Sequence, residues 1–358
     1  MSRYVLWFED YEPAHAPRVG GKNASLGACL AGGMPVPPGF AVTVEAYRTL
    51  RADETVRRDV NAVLAGVDET DPVALAEISR RVRALLEAAP VAPEVAAEIR
   101  SAYARLGARC GDDAVPVAVR SSATTEDSAD ASFAGEHDTF LWVSGADAVV
   151  EHVRRCWSSV FTDRAIAYRR QMGHADERVE MSVGVQKMVR PRSAGVAFTL
   201  NPLDGDRSQI AIDASWGFGE AVVGGEVTPD NYLVDKVLYE ITRRRVSEKA
   251  VEYRLDGAGR LELAEVEDGR RSAPCLTDEE IKAVARLARR AERHYGCPQD
   301  TEWAIDADLP APDNVVLLQS RPETVWSRRE PAAASTAPAG DYLASIVSTL
   351  LSPLHHRK

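Results

Sequence analysis

The apolar positions of this chain change period several times, and each change marks an element. Runs such as EISRRVRALLEAA between residues 45 and 110, rich in Ala, Glu, Arg and Leu and poor in glycine, predict several surface helices. From 148 to 170, Val150, Val153, Trp157, Val160, Phe161, Ala165 and Tyr168 recur at helical spacing. They predict one long helix whose aromatic stripe is core. Alternation takes over in MSVGVQKMV, and AGVAFTL, QIAIDAS and DNYLVDKVLYEITRRRV follow as strand-like segments between Gly or Asp turns. A charged helix, TDEEIKAVARLARRAERHYG, precedes two strands, TEWAID and NVVLLQSR, most simply an antiparallel pair. The pattern ends in a low-complexity linker, EPAAASTAPAG, and a helical face of Leu343, Ile346, Val347, Leu350, Leu351 and Leu354 behind Asp341 as a possible cap.

A chain of 358 residues has room for two lobes with separate cores, and we expect two with a cleft. With 45% hydrophobic and 27% charged residues the chain is ordinary globular material. A formal charge of -11 opposes general nucleic-acid binding, but a few convergent cations with a metal ion can still hold a small polyphosphate. The five cysteines are scattered and contain no C-x-x-C pair, so neither a disulfide framework nor a zinc site is expected. The amino terminus turns acidic after a few apolar residues, unlike a signal peptide, and no segment approaches a membrane span. We therefore expect a cytoplasmic protein.

Three constellations carry candidate chemistry. In VGGKNASLG, Gly20 and Gly21 permit close backbone approach, and Lys22 stands where a helix begins near Asn23. Helix-terminal N–H groups with an ammonium suit a phosphate, although the P-loop spacing is missing and a plain glycine turn with a surface lysine fits as well. In VAVRSSATTED, Arg120 ends an apolar strand and offers a forked, permanently charged donor for phosphate oxygens. Ser121, Ser122, Thr124 and Thr125 add hydroxyl donors or cap the loop, and the Phe133-Ala134-Gly135 turn follows. In the last two strands, period-two geometry puts Glu302, Ala304 and Asp306 on one face of the first strand, and Gln319 with Arg321 on one face of the second. Antiparallel pairing then collects a carboxylate, an amide oxygen and a guanidinium, which is either two ligands for Mg²⁺ beside a phosphate-binding cation or a polar seal on a sheet end.

The blocks GGKNASLG, PVPPGFAVT, VAVRSSATTEDS, ASFAGEHDTF, GFGEAVVGGEVTPDNYLV and LLQSRPETVW occur in this order. Together they resemble the nucleotide-binding domain of the phosphoenolpyruvate synthase, pyruvate phosphate dikinase and rifampin phosphotransferase family over roughly residues 1 to 326. The resemblance implies an α/β (α+β) ATP-grasp fold of two lobes with the nucleotide cleft between them. Residues 1–185 would form the N-terminal lobe with its helical segment and 186–326 the C-terminal lobe, followed by a linker at 327–340 and an amphipathic helix at 341–358. It implies ATP and Mg²⁺ as ligands, with Lys22 and Arg120 on phosphates, Glu302 and Gln319 on magnesium, and Arg321 on the transferring phosphoryl group. Gln186, Lys187, Met188 and Val189 match the segment that holds adenine through backbone groups, with ordinary sheet core as the alternative for Met188. Glu220 and Glu226 fall in the matching glycine-rich block.

In this family the phosphoryl group passes to a histidine on a separate swivelling domain. None of His15, His137, His152, His174, His294, His355 and His356 stands in the Gly- and Thr-rich loop that presents such a carrier, and His137 reads as a local packing residue. The resemblance thus implies an ATP-binding subunit working with a partner protein that carries the histidine and the acceptor site, as in phenylphosphate synthase. A stand-alone ATP-grasp kinase or ligase and a non-catalytic nucleotide-binding module are the alternatives.

Overall fold

The computed structural model describes residues 2–65, 71–124, 127–128, 131–132, 138–171, 179–257 and 259–326. Thr125, Phe133, Ala134, Gly135, His137 and the terminal helix expected behind Asp341 lie outside these residues, as does the side chain of Tyr168. The chain forms two compact units. One takes the chain up to Ala28 and Pro38–Met188, and the other takes Cys29–Pro37 and the described chain from Val189 onward.

The first unit contains β1 (Val5–Trp7), α1 (Ala16–Ala31) as far as Ala28, β2 (Gly39–Val42), α2 (Val44–Ala52), α3 (Glu54–Leu64), α4 (Pro72–Ala88), α5 (Pro93–Cys110) and β3 (Val117–Ala123). The short pair β4 (Asp127–Ser128) and β5 (Ala131–Ser132) leads to β6 (Thr139–Val143), α6 (Ala146–Ser158), α7 (Asp163–Gln171) and β7 (Met181–Lys187). Its five-stranded sheet runs β1-β2-β7-β3-β6, antiparallel throughout. Alternation explains its two faces. Phe40 and Val42, Val117 and Val119, and Val183 and Val185 enter one core with Val82, Ile99, Val153 and Trp157 from the helices. The opposite face carries Gly39 and Ala41, Ala118, Arg120 and Ser122, and Ser182, Gly184 and Gln186.

The expected long helix over 148–170 is interrupted. α6 ends at Ser158, a 3-10 turn covers Ser159–Phe161, and Thr162 is extended (φ -60, ψ 152) before α7. The Thr162 hydroxyl accepts from the Ala165 N–H at 3.2 Å, so a helix cap starts a second helix where the apolar spacing alone continues the first. Val150, Val153, Trp157, Val160, Phe161 and Ala165 are nevertheless all buried.

The second unit contains β8 (Pro191–Phe198), β9 (Gln209–Trp216), α8 (Glu220–Val223), β10 (Asp230–Asp235), β11 (Ile241–Arg245), β12 (Val251–Leu255), β13 (Leu261–Glu265), α9 (Asp268–Arg271), α10 (Asp278–Tyr295), β14 (Gln299–Asp306) and β15 (Val315–Pro322). The order β11-β10-β9-β8-β14-β15 is again fully antiparallel. DNYLVDKVLYEITRRRV, one stretch by pattern, is the hairpin β10–β11, turning where Tyr239 takes a positive φ of 58. α10 is anchored by a capping box in which the Thr277 hydroxyl accepts from the Glu280 N–H and Glu280 accepts from the Thr277 N–H. The apolar stripe Ile281, Val284, Ala285, Ala288 and Ala291 is buried against the sheet.

Candidate nucleotide site

In the first unit the glycine turn is fixed to the sheet by hydrogen bonds and close packing. Gly20 adopts φ 71, ψ 170, a region open essentially to glycine, and breaks α1 just before Lys22. A Cβ there would lie 2.2 Å from the Ser122 carbonyl oxygen, so the turn abuts β3 directly. The Ser122 hydroxyl donates to the Val19 carbonyl at 3.0 Å and accepts from the Asn23 N–H at 3.2 Å. Asn23 Nδ2 donates to the Val19 carbonyl and to Ser182 Oγ, and Ser182 in turn donates to the Val42 carbonyl. The absence of a side chain at Gly184 makes room for Asn23, whose Oδ1 would sit 2.3 Å from a Cβ there. Three strands thus hold the turn that carries Lys22. Arg120 lies on the same face of β3, two residues from Ser122, with Gly184 as its register partner.

The same face offers Gln186, opposite Ala118 on β3 and Gly39 on β2 and 4% exposed, at the end of a floor of small residues. Lys187 and Met188 donate their N–H groups to the carbonyls of Pro38 and Pro116, both at 2.9 Å. A base read by this segment through those two donors would displace existing bonds, whereas each carbonyl keeps a second lone pair. Val189 begins the second unit and packs with Ala194, Ala304, Val316 and Leu318.

In the second unit the candidate metal and phosphate residues meet on β14 and β15. Glu302 faces Gln319, and Asp300 faces Arg321. The register shifts beyond Glu302, where Trp303 faces Leu317, so Leu318 is the extra residue of a bulge. That extra residue reverses the phase of β15. Without it, Gln319 and Arg321 would fall on the other side from Glu302. Arg321 is held by Asp300, whose Oδ2 accepts from its Nε at 2.8 Å and lies 2.8 Å from a terminal nitrogen. Asp300 is 6% exposed, and burial raises its carboxyl pKa; Arg321 opposes the rise, while Glu302 and Glu323 add to it. Glu302 and Gln319 remain half-buried. Asp306, expected on the Glu302 face, is spent on a turn, accepting from the Arg190 and Asp308 N–H groups.

Asp300 is the functional candidate that sequence reasoning missed, although its signal was present: it precedes Glu302 by one strand period. Glu220 lies in the first turn of α8, and Glu226 Oε1 accepts from the Tyr253 hydroxyl at 3.4 Å. Among the described residues no group of three or more His, Cys, Asp and Glu side chains is placed to hold a metal alone. A pair of hard oxygen donors, Glu302 and Gln319, fits Mg²⁺ when the remaining octahedral positions are filled by phosphate and water.

Over residues 16–339 the chain matches the family described as "Pyruvate phosphate dikinase, AMP/ATP-binding domain". The chain belongs to that family. The α+β architecture of this AMP/ATP-binding domain is the ATP-grasp fold. It is 43% identical over 350 residues to a probable phosphoenolpyruvate synthase of Staphylothermus marinus, spanning 92% of this chain and 42% of that protein. It is 40% identical to a phosphoenolpyruvate synthase of Aeropyrum pernix, with 94% and 44% covered, and 40% identical to a rifampicin phosphotransferase of a Streptomyces species, with 90% and 36% covered. The AMP/ATP-binding domain chain therefore spans less than half the length of each of these relatives. Among its described residues no helix is long and apolar enough to cross a membrane.

Proposed function

We propose that this chain binds Mg²⁺·ATP and passes phosphate to a histidine on a partner protein, releasing AMP and phosphate. The observation that carries the reading is the four-residue patch on β14 and β15, where the Glu302–Gln319 pair adjoins the Asp300–Arg321 pair in a chain of an AMP/ATP-binding family. Lys22 and Arg120 neutralise phosphate oxygens, and Gln186, Lys187, Met188 and Val189 line the adenine. Glu220 contributes from the glycine-rich block. Arg321, aimed by Asp300, binds the phosphoryl group in flight, where charge-assisted contacts count most. Glu302 and Gln319 hold Mg²⁺, which neutralises phosphate charge when bound. The final acceptor belongs to the partner.

Mg²⁺·ATP at a hundredfold excess over its dissociation constant is expected to stabilise the chain by about 2.7 kcal/mol. Arg321→Ala and Glu302→Ala are expected to suppress phosphate transfer to the histidine-bearing partner far more than they weaken ATP binding, because both act on the transferring group. An unchanged melting temperature at millimolar Mg²⁺·ATP refutes the nucleotide assignment. Wild-type transfer by both variants refutes the placement of the reacting phosphate.

A further inference from the structure

β9 and β10 are the two stalks of the loop 217–229, which carries α8, Glu220 and Glu226. Asp213 and Asn231 face each other across these stalks. Asn231 Nδ2 donates to a carboxylate oxygen of Asp213 at 2.7 Å, and the two side chains are 4% and 1% exposed. The other oxygen of each, Asp213 Oδ2 and Asn231 Oδ1, is buried without a hydrogen-bond partner among the described residues. So is Ser215 Oγ, one strand period further along β9. An ionised carboxylate and an amide oxygen are both acceptors only, so neither orphan satisfies the other.

One proton resolves both. A carboxylic acid at Asp213 gains an O–H donor for Asn231 Oδ1 while keeping the bond it already accepts, and the side chains become bonded in both directions. We propose that Asp213 and Asn231 are a proton-closed latch at the base of the glycine-rich loop, holding β9 to β10 when protonated and loosening loop 217–229 when ionised.

Burial supports this by pushing the Asp213 carboxyl from its ordinary 3.8 up to about 6, against the opposing effect of the Asn231 bond. Its neighbours on the same sheet face are apolar on β8, namely Ala194, Val196 and Phe198, with Glu302 beyond Val196. α8, packed on β8 and β9, brings Glu220; β12 brings Glu252, which is engaged by Arg270. The edge strand β11 puts Arg243 and Arg245 on that face, Arg245 opposite Asn231, and both are exposed to screening water. The Asp230–Lys249 pair belongs to the other face.

The sign follows from the raised folded-state value. The contribution to stability is full below the unfolded carboxylate pKa and is lost as pH rises through about 6.

The test compares wild type with Asp213→Asn, whose amide can reproduce the two-way pair at every pH. Melting temperature and hydrogen-exchange protection of 217–229, corrected for intrinsic exchange, are followed between about pH 4 and 8, with chelator and with Mg²⁺ alone. In wild type the protonated, latched share is expected to fall about tenfold per pH unit above the midpoint, with loop protection declining relative to a flat Asp213→Asn profile. Parallel profiles overturn the latch. So does Mg²⁺ alone stabilising wild type but not the variant, since a cation would then occupy the cluster. Should Asp213→Asn fail to fold, the carboxyl carbon resonance of wild-type Asp213 decides: a midpoint near 6 supports the latch, and one in the ordinary carboxylate range refutes it.

Discussion

Lys249 Nζ lies 2.6 Å from Asp230 Oδ1, and both side chains are fully buried. Asp230 also accepts from the N–H groups of Ser247 and Cys275 and from the Tyr232 hydroxyl, so one carboxylate ties β10 to two distant segments. Lys249→Met keeps the packing volume but leaves that carboxylate without its cation. The expected cost is about 3–5 kcal/mol, read from chemical denaturation of the isolated chain. A loss below about 1 kcal/mol would show that the hydrogen bonds alone satisfy Asp230. At the same scale, Asp300→Asn should keep Arg321 charged but remove the charge that aims it, reducing phosphate transfer while leaving Mg²⁺·ATP binding near wild type. Equal losses in both would make Asp300 a binding residue instead. The face of Glu302 and the shared face of Gln319 and Arg321 were each legible because strand alternation is local, but their coincidence depends on the bulge at Leu318. Asp300 as the partner of Arg321 was not legible, because that pairing depends on the same bulge, and Asp213 in QIAIDAS reads as one more strand residue until its burial is known.

Elements were legible in kind and less so in their breaks. The paired glycines before Lys22 announce a turn, but only the approach to Ser122 decides that Gly20 takes the positive φ. Gly20→Ala should therefore cost at least about 1–3 kcal/mol of backbone strain. Because Lys22 is displaced with the turn, it should also shrink the thermal shift caused by Mg²⁺·ATP. A variant that melts lower but keeps the full ligand shift would separate the turn from nucleotide binding. The break at Thr162 did have a local signal: Thr followed by Asp is a common helix start, yet the apolar stripe runs through it, since α6, the 3-10 turn and α7 all face one core. The charged helix expected over TDEEIKAVARLARRAERHYG is α10, and the Thr277-x-x-Glu280 box that caps it stands directly before its apolar run.

At the scale of the whole molecule, the motif order carried the family, while the membership of Cys29–Pro37 in the second unit did not show in the pattern. That segment is held there by long-range contacts such as the Leu317 N–H donating to the Pro35 carbonyl and Arg290 donating to the Gly32 carbonyl. The described histidines are engaged locally: His15 Nδ1 accepts from the Glu12 N–H, His152 Nδ1 lies 2.7 Å from the Ala148 carbonyl, and the His294 ring packs on Tyr295. None of them belongs to the patch on β14 and β15. If phosphate goes to a histidine outside these residues, the products identify the route. Transfer through a carrier with release of AMP and phosphate requires cleavage at both phosphoanhydride positions, whereas a direct kinase leaves ADP. The chain with Mg²⁺·ATP alone is expected to turn over little nucleotide, and adding the histidine-bearing partner should produce AMP and phosphate in equal amounts, with the label of a β- or γ-labelled ATP distinguishing which phosphate the histidine retains. Steady ADP formation by the chain with a small-molecule acceptor, and no partner present, would overturn the carrier reading while leaving the nucleotide site intact.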